Sequence, residues 1–188
     1  GAATFWLIYY VRFFLPARLD EKFRESLKAF STAVELRAPA MAGSSTRVVA
    51  LSIALGRQLG LKSHQLRDLE MAAILRDVGL CAIPYSLING KNISEWTEAE
   101  RMTYDRHPEV SGAMLELVPS LCHIAPIVRL HHIPYEGISP ADPTIPIGDL
   151  LPIESRILRV ITEYILLERN IGDLLARQAI REGMGTLY

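Results

Sequence analysis

The stretch HQLRDLEMAAILRDVG, His64–Gly79, decides how this chain is read. Ser63 stands before it as a cap and Gly79 closes it, so it reads as a helix that carries Arg76 and Asp77 to its end. The segments around it follow suit. Upstream, TRVVALSIALGRQLGL (Thr46–Leu61) reads as a buried helix closed by Gly60, with Ser44 and Ser45 available as caps after the break at APAMAGSS. Further upstream, ARLDEKFRESLKAFSTAVELR (Ala17–Arg37) sets Leu19, Phe23, Leu27, Phe30 and Val34 at intervals of three and four, a helical stripe with charges opposite.

Downstream, Thr97 and Glu100 match a capping box, and Pro108 fits the first turn of the next helix. SLCHIAPIVRLHH (Ser120–His132) reads as a helix with Pro126 inside it. IESRILRVITEYILLERN and IGDLLARQAIREGMG supply two last helices. IPYSLINGKNIS (Ile83–Ser94) and the Pro-, Gly- and Asp-rich run Ile133–Pro152 read as loops, the second long enough to expect a functional role. Nothing alternates with period two for long, so the expected fold class is all-α.

Composition agrees. The 188 residues, 49% hydrophobic and 22% charged, suit one compact domain with a real core. A net charge of −1 gives no electrostatic footprint for nucleic acid. Cys81 and Cys122 are too few for a disulfide framework and read as small buried residues. The start, TFWLIYYVRFFL (Thr4–Leu15), is apolar and aromatic but holds Arg12, and Pro16 is expected to break it. It is short of the ~20 apolar residues of a spanning helix and lacks a cleavage site. The trimmed end of a membrane segment, an interfacial helix and a helix packed on the domain all remain open. The Ala17–Arg37 helix is either a dimer-forming signalling helix or one lying on the domain's own surface.

Five histidines are present. His64 is expected to face solvent, and His123 to sit in or at the edge of the core. His107, His131 and His132 each stand at a helix end, where side chains can meet in one cleft, and Asp77 stands near another. Imidazoles and a carboxylate are a metal-ligand set. Taken singly, each is more often a polar residue at a helix end. Asp77 in particular can pair with Arg76 or Arg67.

The order of the pieces narrows this. VELRAPAMAGSSTRVVALSIALGRQLGL, LRDVGLCAIP, RHPEVSG, HHIPYEG, LLPIESRILRV and REGMGTLY follow one another as the motifs of the HD-GYP family do. From about Ala29 to Tyr188 the chain resembles that family, the cyclic di-GMP phosphodiesterase branch of the HD phosphohydrolases. The resemblance implies an HD-superfamily helical bundle over 29–188, with the family's final helix beyond Tyr188. Residues 1–28 form an apolar N-terminal segment and connecting helix.

The family site holds two or more metal ions that activate water against a phosphodiester. By resemblance, the ligands of the first ion fall on Ser44, Arg76, Asp77 and Thr162, of which only Asp77 is a ligand of the family's type. Those of the second fall on Asp77, His107, His131 and His132, all present. The family's lysine becomes Leu80, the glutamate after its histidine pair becomes Ile133, and its GYP triplet is missing after Glu136 and Gly137. Arg156 matches an arginine that either contacts phosphate or forms a structural salt bridge. A guanidinium cannot ligate a metal, so Arg76 is expected to fill the first ion's space as a fixed positive charge, unless it is mere drift in a dead site.

The expectation is therefore a non-catalytic regulatory or interaction module of bacterial signalling, derived from a cyclic di-GMP phosphodiesterase. It would carry one divalent ion (Fe, Mn or Zn) or none. Two alternatives stand beside it: a single-metal phosphodiesterase or phosphohydrolase of low activity, and a cyclic di-GMP receptor that does not cut its ligand. Expected partners are proteins, GGDEF-type or a second copy meeting through residues 17–37, with cyclic di-GMP weakly supported and no nucleic acid. The expected location is cytoplasmic, with tethering to a membrane through an upstream segment left open.

Overall fold

In a computed structural model, residues 1–38, 43–90, 95–138 and 142–188 are described, and among them every regular element is helical. The chain opens with α1 (Ala2–Tyr9), a π-turn at Tyr10–Phe14, and α2 (Leu15–Glu35) in unbroken succession. Pro16 therefore does not end the helix, contrary to the sequence expectation. The Leu15 N–H bonds to the Tyr10 carbonyl, five residues back. This wider turn falls just where proline, lacking an N–H, would clash with a regular one.

The bundle proper follows: α3 (Ser44–Gln58), α4 (Ser63–Leu75), α5 (Tyr85–Gly90), α6 (Glu98–Asp105), α7 (His107–Glu116), α8 (Ala125–Arg129), α9 (Ile153–Ile171) and α10 (Asp173–Glu182). Helix α4 is central. Leu69, Ala72, Ala73, Ile74 and Leu75 are buried against Val48 of α3, Leu115 of α7, Val128 of α8 and Ile157, Leu158 and Ile161 of α9. Small residues let the helices close up. A Cβ on Gly56 would come within 3.0 Å of Leu66 and Leu69, so α3 and α4 pack closely there. A second cluster, Val34, Leu80, Ile83, Leu87 and Trp96, ties the end of α2 to the segment after α4.

Several ends differ from the sequence reading. Lys62, not Ser63, caps α4, and Gln65 reaches back to its N–H. That helix stops at Leu75, and a 3-10 turn (Val78–Ala82) carries the chain past Gly79. Ser44 and Ser45 lie inside the first turn of α3. The capping oxygens come from Glu35 at the end of α2, which accepts from the N–H groups of Gly43 and Ser45. Pro126 does not interrupt a helix but starts one: a 3-10 turn (Cys122–Ile124) precedes α8. The loop expected over 83–94 contains α5. Cys122 is exposed rather than buried. The Thr97–Glu100 capping box is as expected, and so are two last helices, though they meet at Gly172 rather than between Asn170 and Ile171. Residues 39–42, 91–94 and 139–141, which include parts of the expected breaks and of the missing GYP position, lie outside the described residues.

Candidate metal centre

Helix ends bring the site together. His107 is the first residue of α7, directly after α6, while His131 and His132 follow the last turn of α8. Helix α8 packs on α4 and α7, and α7 packs on the turn after α4, at whose start Asp77 stands. Gly79 makes that meeting possible. A Cβ there would lie 2.7 Å from the Ser111 N and Oγ, so only glycine lets the turn rest on α7. Ser111 fastens it: its hydroxyl donates to the Arg76 carbonyl and accepts from the Gly79 N–H, both at 2.8 Å.

The ligand-capable nitrogens of His107, His131 and His132 all lie within 4.8 Å of one another. Their rings are 4.0 Å (131–132), 5.1 Å (107–132) and 5.8 Å (107–131) apart. His107 Nδ1–H donates to the Tyr104 carbonyl at 2.8 Å, and His131 Nδ1–H to the Val128 carbonyl at 2.6 Å. Those bonds fix the tautomer and leave each Nε2 as the lone-pair nitrogen. Both Nε2 atoms are buried with no hydrogen-bond partner. Orphaned buried acceptors are uncommon, and two aimed at one place are what a cation site requires.

Electrostatics keep the ligands in their binding form. Burial, together with the neighbouring His107, pushes His131 down to about 3. Burial likewise holds His132 well below the ordinary range. Burial would raise Asp77, but the Arg76 guanidinium and His107 outweigh it and hold the carboxyl well below the usual carboxylate range. His131 and His132 are thus neutral, and Asp77 is an anion, near pH 7.

Asp77 stands beside this trio rather than within it. Its Oδ1 is 3.6 Å from His107 Nε2, and its Oδ2 is 2.8 Å from Arg76 Nη2. Arg76 does not point to solvent: it is 1% exposed, and its Nη1 donates to the Ala73 carbonyl at 2.7 Å and approaches Ser45 Oγ at 3.5 Å.

The other sequence candidates are placed as follows. Ser44 turns its hydroxyl to Glu35 at 3.4 Å. Leu80 is sunk in the second core cluster. Thr162 is half-buried with an unpartnered hydroxyl, and Ile133 is half-buried behind the histidine pair. Arg156 is held by Asp149 at 2.8 Å and lies 4.9 Å over the Tyr135 ring. His123 sits at an exposed edge beside Asp68. Sequence reasoning missed Ser111, Gly79 and Arg159, whose Nη1 donates to the His132 carbonyl at 2.6 Å and whose Nε bonds the Leu187 carbonyl. Only Gly79 left a trace, and it was read as a helix stop.

The HD domain family matches residues 28–182. The chain belongs to that family. Its relatives place it on the HD-GYP side. It is similar to the cyclic di-GMP phosphodiesterase response regulator RpfG of Xanthomonas campestris, 30% identical over 144 residues, which is 76% of this chain and 37% of that protein. It is also similar to the cyclic di-GMP phosphodiesterase PA4108 of Pseudomonas aeruginosa, 34% identical over 88 residues, 47% of this chain and 21% of that one. The chain thus spans little more than a third of the first relative and about a fifth of the second. HD domains commonly hold divalent metals, and among the described residues the histidine trio is the group with suitable donors.

Proposed function

We propose that this HD domain is a non-catalytic regulatory and interaction module of bacterial signalling, derived from a cyclic di-GMP phosphodiesterase. The observation that carries the reading is the buried Arg76–Asp77 ion pair. A guanidinium stands where the motif pattern has a histidine ligand, and hydroxyls (Ser44, Thr162) stand at two further ligand positions. A two-ion centre does not fit these residues, and no step is derived through one. A single divalent ion (Fe, Mn or Zn) does fit the orphaned Nε2 atoms of His107 and His131 together with His132. Such an ion would supply Lewis-acid polarisation of an oxygen ligand. The chain's own part is to hold the His107 and His131 rings in place through the Tyr104 and Val128 carbonyls, and the backbone of His132 through Arg159.

The same trio favours a second reading, a single-metal phosphodiesterase or phosphohydrolase of low activity. Hydrolysis of cyclic di-GMP by protein supplied with manganese, iron or zinc separates the two. The expected result is no turnover above a His131→Ala control; turnover well above it would establish the second reading. Calorimetry with cyclic di-GMP tests a third, a receptor that binds without cutting. Arg156, the candidate phosphate contact, is already engaged by Asp149, so no binding is expected.

Partners are proposed to be proteins, GGDEF-type or a second copy meeting through residues 17–37. The N-terminal segment is proposed to tether the chain to a membrane, because Phe5, Trp6, Leu7, Ile8 and Phe13 are all exposed and α1 is apolar on every side. Among the described residues no helix is long and apolar enough to cross a membrane.

A further inference from the structure

We infer that Arg76 takes Asp77 as its own counter-ion and so confines the metal centre of this chain to three imidazoles, those of His107, His131 and His132. The inference rests on the reading of the trio as a metal site and goes beyond it, since Asp77 is then no ligand.

The geometry holds Asp77 on the Arg76 side. The guanidinium is 1% exposed, anchored by the Ala73 carbonyl at 2.7 Å, and lies 2.8 Å from Asp77 Oδ2. It cannot shed its charge at any physiological pH. Left without a carboxylate it would be a buried, unpaired cation, which is strongly unfavourable. A metal ion drawing Oδ2 away would therefore have to outweigh that loss, and Oδ1, though 3.6 Å from His107 Nε2, lies outside the close group of ligand atoms that the three imidazoles form.

The backbone cannot swing to serve both. Ser111 fastens the Arg76 carbonyl and the Gly79 N–H to α7, and Gly79 leaves no slack against that helix. The space beside Asp77 toward α2 and α3 is filled as well. A void of about 10 Å³ remains among Ser31, Glu35, Ser45 and Asp77, the size of one water and no more.

The consequence is a switch in donor character. With Asp77 neutralised by Arg76, an ion at the trio meets three imidazole nitrogens and an open position, the donor set that suits zinc or cobalt. Replacing Arg76 by an uncharged side chain of similar length releases Asp77 to become a fourth ligand. Arg76 thus acts as a positioning residue for the metal site.

Cobalt(II) titration of the whole chain, followed by visible absorption, tests this with four proteins: wild type, His131→Ala, Arg76→Met and Arg76→Met/Asp77→Asn. Wild type is expected to bind one cobalt and His131→Ala none. Arg76→Met is expected to bind about tenfold or more tightly than wild type, with a changed spectrum, and the double variant to return to within about tenfold of wild type. If circular dichroism shows Arg76→Met unfolded, the double variant decides. Affinity within about tenfold of wild type supports the inference, and a larger loss shows Asp77 to be a ligand and overturns it. A folded Arg76→Met that binds no tighter than wild type overturns it too. Wild type binding no better than His131→Ala removes the metal reading itself together with the inference, a different failure from the other two.

Discussion

At the scale of single residues, the site shows what an amino-acid sequence can and cannot disclose. The histidine trio was legible, because His107, His131 and His132 each stand beside a helix boundary that Pro108 or the Pro- and Gly-rich run after Ile133 announces. What aims those rings was not. The Tyr104 and Val128 carbonyls are backbone groups, and any residue would supply them. The inward turn of Arg76 depends on the Ala73 carbonyl and on burial that only the packed bundle creates. Its energetic weight is testable. Arg76→Ala leaves Asp77 buried without its cation and is expected to lower unfolding free energy by about 3–5 kcal/mol, read by urea denaturation. Arg76→Met/Asp77→Asn, which removes both charges, should recover most of it. Equal losses in the two variants would show that packing, rather than charge, sets the cost.

The buried imidazoles also give the metal-free protein a pH signature. Folded His131 takes up its proton only at about 3, while the unfolded chain does so near 6.5, and His132 is shifted in the same direction. Between those values the unfolded state binds more protons, so stability falls as pH is lowered from 6.5 toward 3. Asp77 adds to the decline only at the acid end, because its folded-state value lies below the usual carboxylate range. Urea midpoints from pH 7 to 4.5 should fall. The slope in His131→Asn should be shallower by up to about 1.4 kcal/mol per pH unit. Midpoints that do not move over that range would contradict the burial of neutral histidines.

At the scale of elements, the helical class and most helix positions were readable, since periodic stripes and caps such as Thr97–Glu100 are local signals. The misreadings share a cause: the competing group lay elsewhere in the chain or in an unforeseen turn. Glu35, from the preceding helix, supplies the caps of α3, and a π-turn absorbs Pro16. Gly79 is another case, where a residue read as a helix stop proves to be a contact point between elements. Gly79→Ala would press a methyl onto the start of α7 and displace the turn that carries Asp77. A loss of about 1–3 kcal/mol is expected in thermal or urea unfolding. The N-terminal helix allows an optical test. Trp6 is 66% exposed, whereas Trp96 is buried, so a fluorescence blue shift on adding phosphatidylglycerol-containing vesicles should come from Trp6 alone. It should vanish in Trp6→Phe. An unchanged spectrum would remove the membrane-tethering reading.

For the whole molecule, the question is what the α2 stripe faces. One end of it belongs to the domain: Val34 is buried in the second core cluster, and Leu27 packs on the main core. The other end does not, for Leu19 is 61% and Phe23 37% exposed, and Phe30, between Leu27 and Val34, turns away from the core at 46%. Polar residues flank this stripe in compensated pairs, Asp20 with Arg24 and Lys22 with Glu25, so little net charge opposes the approach of a second copy. Apolar residues repeating every three to four positions along 21 residues of helix are the pattern that pairs helices side by side. A dimer through residues 17–37 would cover the stripe and leave both histidine centres free. Sedimentation at micromolar concentration is expected to show twice the chain mass, and Leu19→Glu/Phe30→Glu to return it to one. Because both side chains already meet solvent in the single chain, that double variant should keep the helical content and unfolding midpoint of wild type. A wild-type chain that sediments as a monomer at every concentration would leave α2 as a helix lying on the domain's own surface.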